Sequence, residues 1–209
     1  MSKQANTPGM LWDKGYAEDD YVFGHEPNQW MAENTDLLTP GLSALVPGDG
    51  EGRNGVWLAE RGLIVTTIDA SPVGVEKAQK LAASRNVKLE MLIGDLKDWE
   101  PPALKFNVLV SAFLHVNSND RRTLHRKLAA TLNPGGLMLL EGFAPGHLDY
   151  GSGGPSMKER MFTEAGLRED FADMLDIEHL REAKVALPTS ERHSGPAVVM
   201  RLRARRKKS

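Results

Sequence analysis

Short apolar runs alternate with amphipathic stretches along most of the chain. Residues 42–47 form an apolar run that stops at Pro47-Gly48, predicting a first strand. Residues 53–61 predict a helix with Gly62 as its stop. Residues 63–68 are rich in β-branched side chains and close on Asp69, a second strand. Ser71 and Pro72 then read as an N-cap and a first-turn proline. The helix they open runs to about Arg85, with Val75, Ala78, Leu81 and Ala82 on one face. Residues 87–93 predict a third strand, followed by Gly94-Asp95. Residues 106–111 centre on the apolar run Val108-Leu109-Val110, typical of a strand buried on both faces. A helix over 117–132, capped by Asn117 or Ser118, places Leu124, Leu128 and Leu132 on one stripe. Asn133-Pro134-Gly135-Gly136 should end it, with a fifth strand over 137–141. Residues 157–171 predict a helix, and 177–187 and 197–203 predict two late strands joined by a Pro/Ser/Gly-rich turn.

Strand and helix alternate five times, so the expected class is α/β with a doubly wound, Rossmann-like sheet. The last two strands have no helix between them. The expectation is a seven-stranded sheet, mostly parallel with an antiparallel last strand, in which the last two strands pair antiparallel at one edge. The 209 residues suit one domain, with 1–35 as an N-terminal cap or lid and 203–209 as a basic tail.

Composition narrows the chemistry. The chain has no Cys, which excludes disulfides, thiolate metal sites, Fe–S clusters and a Cys nucleophile; no metal site is expected. The polar start predicts no secretory signal, and no apolar run reaches the roughly 18 residues of a membrane span, so a cytoplasmic location without membrane contact is expected. Net charge is −2, which disfavours a nucleic-acid partner. Six of the last nine residues are Arg or Lys, leaving 20 positive against 28 negative charges elsewhere, a body near −8. The tail reads as a strand that frays into solvent. Oligomeric state is not readable.

Gly48-Asp49-Gly50-Glu51-Gly52 lies between the first strand and the first helix. Glycines there permit positive φ and close approach of backbone to a ligand, and the helix start favours a negative group. Seventeen positions after Gly52, Asp69 ends the second strand, where a carboxylate accepts from both hydroxyls of a ribose. The glycines alternate as G-x-G-x-G, unlike a dinucleotide fingerprint, and a carboxylate fills each gap. Two acids would repel a pyrophosphate and suit a ligand with positive charge.

These residues, with Gly94-Asp95, Asn133-Pro134-Gly135-Gly136 and the two late strands, resemble a class I S-adenosylmethionine (SAM)-dependent methyltransferase over nearly the whole length. Trp12-Asp13, the stretch Tyr21-Val22-Phe23-Gly24-His25-Glu26-Pro27-Asn28 and Gly50-Glu51-Gly52-Arg53-Asn54 resemble the tellurite-resistance and thiol methyltransferase-like branch. The resemblance implies SAM as cofactor. It implies that Gly48, Asp49, Gly50 and Gly52 run under the methionine part, Asp69 takes the ribose and Ala70 packs on adenine. Asp95 would accept from the adenine amino group and Leu96 stack on the ring. Ser111, Ala112 and Phe113 would line the cleft near the methyl group, and Arg53 would pair with the SAM carboxylate. The family's usual acidic residue two positions before the loop is replaced by Val46, and Asp49 is the expected substitute.

Methyl transfer from a sulfonium is an in-line displacement that needs alignment and a dry pocket. Soft anions such as thiolates, tellurite or selenite need little general-base help. The expected acceptor is therefore a small soft nucleophile, an oxyanion or a thiol. Trp12, Tyr16, Tyr21, Phe23 and Trp30 fall within 19 residues and suggest a lid, with Trp12 over the cofactor and Tyr21 at the acceptor. His115, Arg192 and His193 are further acceptor-side candidates, and His25 and the Tyr150–Gly154 loop lesser ones. Three alternatives stay open: a SAM-binding regulatory protein of the same fold without turnover, a methyltransferase acting on another small metabolite, and a dinucleotide-dependent oxidoreductase.

Overall fold

The computed structural model describes residues 8–151, 153–188, 190 and 194–208. One sheet is built from β1 (Ser43–Pro47), β2 (Ile64–Asp69), β3 (Glu90–Ile93), β4 (Phe106–Ala112), β5 (Leu132–Phe143), β6 (Leu175–Leu187) and β7 (Gly195–Arg206). Their order is β3-β2-β1-β4-β5-β7-β6. The first five strands pair in parallel, and β7 pairs antiparallel with both β5 and β6. The helices are α1 (Pro8–Gly15), α2 (Gln29–Ala32), α3 (Arg53–Glu60), α4 (Pro72–Ser84), α5 (Ser118–Ala129) and α6 (Glu164–Phe171). Strand order reverses between β1 and β4, which opens a crevice at the carboxyl ends of those strands.

Period-two alternation divides the core between the two faces of the sheet. Leu45, Leu109 and Leu140 face a cluster with Leu124 and Leu128 of α5 and Leu167 and Phe171 of α6. Ala44, Val46, Val108 and Val110 face a second cluster with Trp30 and Met31 of α2 and Trp57 and Leu58 of α3. Both faces are thus covered, which is why the central strands carry unbroken apolar runs. Ser71 Oγ accepts from the Gly74 N–H at 3.0 Å and caps α4 as its position suggested.

Several boundaries differ from the expectation. The third strand starts at Glu90 rather than 87. α5 stops at Ala129 because Thr131 closes back on Leu128, through its N–H at 3.0 Å and its hydroxyl at 2.7 Å. Leu132 then already belongs to β5, and Asn133–Gly136 is a bulge: Phe106 faces Leu132 while Val108 faces Leu137. The stretch 157–171 is not one helix; a 3-10 turn at Lys158–Arg160 precedes α6, which Thr163 caps. Residues 203–206, expected within the basic tail, continue β7 as strand. Arg203 and Arg205 each reach Glu178 at 3.1 Å, so β6 supplies the counter-charge for part of the basic bias.

Candidate cofactor and acceptor site

The Gly-rich loop leaves β1 and enters α3. Gly50 has φ +56°, and its N–H donates to Asp69 Oδ2 at 2.8 Å. Asp69 Oδ1 accepts from the Ser71 N–H at 2.9 Å. The carboxylate is thereby fixed at the end of β2, with further acceptor capacity on each oxygen. Burial pushes its pKa above the usual carboxylate range. Asp95 follows β3 and accepts from the Lys97 N–H at 2.9 Å through Oδ1, leaving acceptor capacity on the carboxylate. Ser111 and Ala112 end β4, and Phe113 follows it. Phe113 has φ +54°, and its N–H donates to the Glu141 carbonyl at 2.7 Å. The loop, Asp69–Ala70, Asp95 and Ser111–Phe113 therefore follow four neighbouring parallel strands at the same end of the sheet.

The two acids of the loop do not serve as expected. Asp49 turns into α3, where its carboxylate accepts from the Asn54 N–H at 3.3 Å and the Gly55 N–H at 2.9 Å. It caps the helix that Gly52 cannot cap with a side chain, and burial pushes its pKa up to about 7. It is no substitute for the acid missing at Val46, which lies in the core. Glu51 is buried and pairs with Lys77 Nζ at 2.6 Å. Leu96 is packed into the main core, which conflicts with a stacking role against a ligand ring.

An N-terminal strap crosses these strand ends. Gly9 of α1 packs directly on the Ala70 carbonyl, where a Cβ would clash. Asp13 Oδ1 accepts from the Ser71 hydroxyl at 2.6 Å. Tyr16 is buried against Gly50 and Gly74, and its hydroxyl takes the place a Gly50 side chain would need. Trp12 stacks on the outside of Tyr16 at 5.3 Å and stays 40% exposed, so Tyr16, not Trp12, is the ring that meets the loop. Lys77 of α4 donates to the carbonyls of Glu18 at 2.8 Å and Asp20 at 2.6 Å while pairing with Glu51. The Tyr21 hydroxyl donates to the Lys77 carbonyl at 2.9 Å, so it is committed to α4 and not to an acceptor. Burial and the Glu51 charge push its pKa up.

Beyond the strap lies a pocket whose walls include Phe23, Phe113, Val185 and Leu187, with Arg53 and Glu141 as its charged groups. Glu141, at the end of β5, is held on both oxygens: Oε1 accepts from Asn28 Nδ2 at 2.7 Å and Oε2 from Arg201 Nε at 2.6 Å. Arg201 also pairs with Glu33 at 2.8 Å, and the Asn28 N–H donates to Asn54 Oδ1 at 2.9 Å. Asn28 thus ties the strap to β5 and α3 together. Sequence reasoning overlooked Lys77, Glu141 and Arg201. The available signal was an acid at the end of the apolar fifth run and basic residues alternating along the last.

His115 is not an acceptor contact. Its Nδ1–H donates to the Arg160 carbonyl at 2.8 Å, and Nε2 accepts from the Phe143 N–H at 3.0 Å. Both nitrogens cross-link backbone, and burial pulls the ring's pKa down from 6.5 to about 4. The neutral ring's contribution to stability is present above 6.5 and lost as pH falls toward 4. On acidification across that window, chemical denaturation should show the protein losing about 3 kcal/mol more than His115→Gln does. Asp49 works in the opposite direction but is shared by both proteins, so it drops out of the difference; equal losses would remove the cross-link argument. His25 is exposed and meets Tyr21 edge-on at 4.2 Å. Arg192 and His193 lie outside the described residues.

Residues 44–136, 93 of the 209, match the family described as a methyltransferase domain. No curated protein matches the chain in sequence. Among solved structures, a protein described by the conversion of a disulfide bond into a thioacetal group during echinomycin biosynthesis superposes with TM-score 0.74 at 20% identity, over 95% of this chain and 91% of that one. A SAM-dependent methyltransferase from Methanosarcina mazei gives 0.68 at 19% identity, over 84% and 97%. TehB from Haemophilus influenzae gives 0.70 at 18% identity, over 96% of this chain and 67% of that one. At these identities the neighbours establish the fold. Among the described residues, no helix is long and apolar enough to cross a membrane.

Proposed function

We propose that this protein moves a methyl group from SAM to a small soft nucleophile, a thiol or a tellurite- or selenite-type oxyanion. The observation that carries the reading is Asp69, fixed by Gly50 and Ser71 at the end of β2; beyond the strap, Phe23, Phe113, Val185 and Leu187 contribute to a partly apolar pocket. The donor set fits a nucleoside. Asp69 has acceptor capacity for two ribose hydroxyls, and Asp95 has it for the amino group of an adenine. SAM supplies the activated methyl group. The chain supplies orientation through the strand ends and excludes water with Phe23, Phe113 and the strap. Among the described residues at the pocket, Glu141 is held on both oxygens and His115 on both nitrogens, so neither is positioned as a general base. A nucleophile that is already anionic or easily ionised suits such a pocket.

A second reading is a SAM-binding protein without turnover. It is favoured by the inward turn of Asp49 and Glu51, which leaves the loop without a carboxylate for the SAM amino group. Incubation with SAM and a panel of thiols, tellurite and selenite separates the two. S-adenosylhomocysteine should accumulate with at least one acceptor; micromolar SAM binding with no product from any of them would favour the second reading.

A further inference from the structure

The charges in the acceptor pocket are unequal in their partners, and that difference says what the acceptor carries. Glu141 is neutralised by Arg201 and further held by Asn28. Arg53 is not neutralised: among the described residues no carboxylate lies within 4.0 Å of its guanidinium. Its NH1 donates to the Phe23 carbonyl at 3.3 Å, and its guanidinium carbon lies 5.9 Å from the centre of the Phe23 ring. Burial pulls its pKa down, while Asp49 and Glu141 favour its charge only through space. A half-buried guanidinium without a counter-ion, on the wall of a pocket, is a site for an anion.

The rest of the lining restricts the anion. The Phe23, Phe113, Val185 and Leu187 side chains offer nothing to hydrogen-bond, and the Asn28 amide is already committed to Glu141 and the Met31 N–H, which leaves Gln29 and Ser190 as the other polar groups of the wall. A compact inorganic oxyanion would present oxygens to these walls. An organic molecule with one carboxylate and an apolar body would not. Resting on the methyltransferase reading, we propose that the acceptor is a small organic thiol bearing a carboxylate, and that Arg53 grips that carboxylate. Arg53 then belongs to the acceptor side of the site, not to the SAM carboxylate. In the transfer step, the thiol has lost its proton to water, and the thiolate sulfur forms a bond to the methyl carbon. The bond from that carbon to the sulfonium breaks, its electron pair stays on the cofactor's sulfur, and a neutral thioether leaves.

The test compares 3-mercaptopropanoate with the neutral 3-mercaptopropanol as acceptors, in the intact protein and in Arg53→Met and Arg53→Lys. The intact protein should favour the carboxylate in kcat/KM by about 30-fold, the worth of a charged hydrogen-bond pair. Arg53→Met should erase that preference through KM, with the calorimetric SAM Kd within about twofold of the original, and Arg53→Lys should keep part of it. The proposal is overturned if Arg53→Met weakens SAM tenfold and leaves the acceptor ratio alone, because the guanidinium then serves the cofactor. It is overturned too if the intact protein binds SAM but prefers the neutral thiol or tellurite, or methylates neither thiol. A protein that binds no SAM would instead bring down the methyltransferase reading underneath it.

Discussion

Lys77→Met should lower the folding free energy by about 3–5 kcal/mol, measured by chemical denaturation. Lys77 is buried, with Nζ 2.6 Å from Glu51 and donating to the carbonyls of Glu18 and Asp20. Removing it leaves the Glu51 carboxylate buried and uncompensated and two strap carbonyls without their donor. That uncompensated charge costs more than the pair itself is worth. The double change Lys77→Met with Glu51→Gln should therefore recover more than half of the loss, because it removes the charge along with its partner. The single variant should also expose the strap to protease near residues 18–20 before the rest of the fold is cut. A loss below about 1 kcal/mol, the range of exposed pairs, would mean that Lys77 does not latch the strap to the Gly-rich loop.

Asp69→Ala should weaken SAM binding roughly 100-fold, since two hydrogen bonds to a charged acceptor are worth about 1.5 kcal/mol each at the low end. The same carboxylate also holds the Gly50 and Ser71 N–H groups, at 2.8 and 2.9 Å. Asp69→Asn should keep part of that backbone hold while losing the charge, and so fall between the two. Unchanged SAM affinity in Asp69→Ala would refute the ribose assignment.

The sheet was legible because its strands are dictated locally. A strand buried on both faces needs apolar side chains on each, so Val108-Leu109-Val110 announces itself. The glycines at 48, 50 and 52 all have positive φ, and Gly50 lies directly beneath Tyr16. The failures come from partners remote in sequence. Asn28 and Glu141 are 113 positions apart, and His115 and the Arg160 carbonyl 45. From position alone, a histidine just after β4 looks like an acceptor contact; only the fold shows both its nitrogens bonded to backbone. Asp49 and Glu51 misled in the same way. Their spacing between glycines suggested a cationic ligand, whereas one caps α3 and the other pairs with a lysine 26 positions on. The leucine stripe over 124, 128 and 132 continues past the end of α5 because Leu132 enters the same core from β5.

The intact protein in the Asp69 titration gives the most direct test of the central claim, that these strand ends bind SAM. Calorimetry with SAM should show one site of micromolar affinity, and NADH under the same conditions should show no heat of binding. Binding of NADH without binding of SAM would contradict the account.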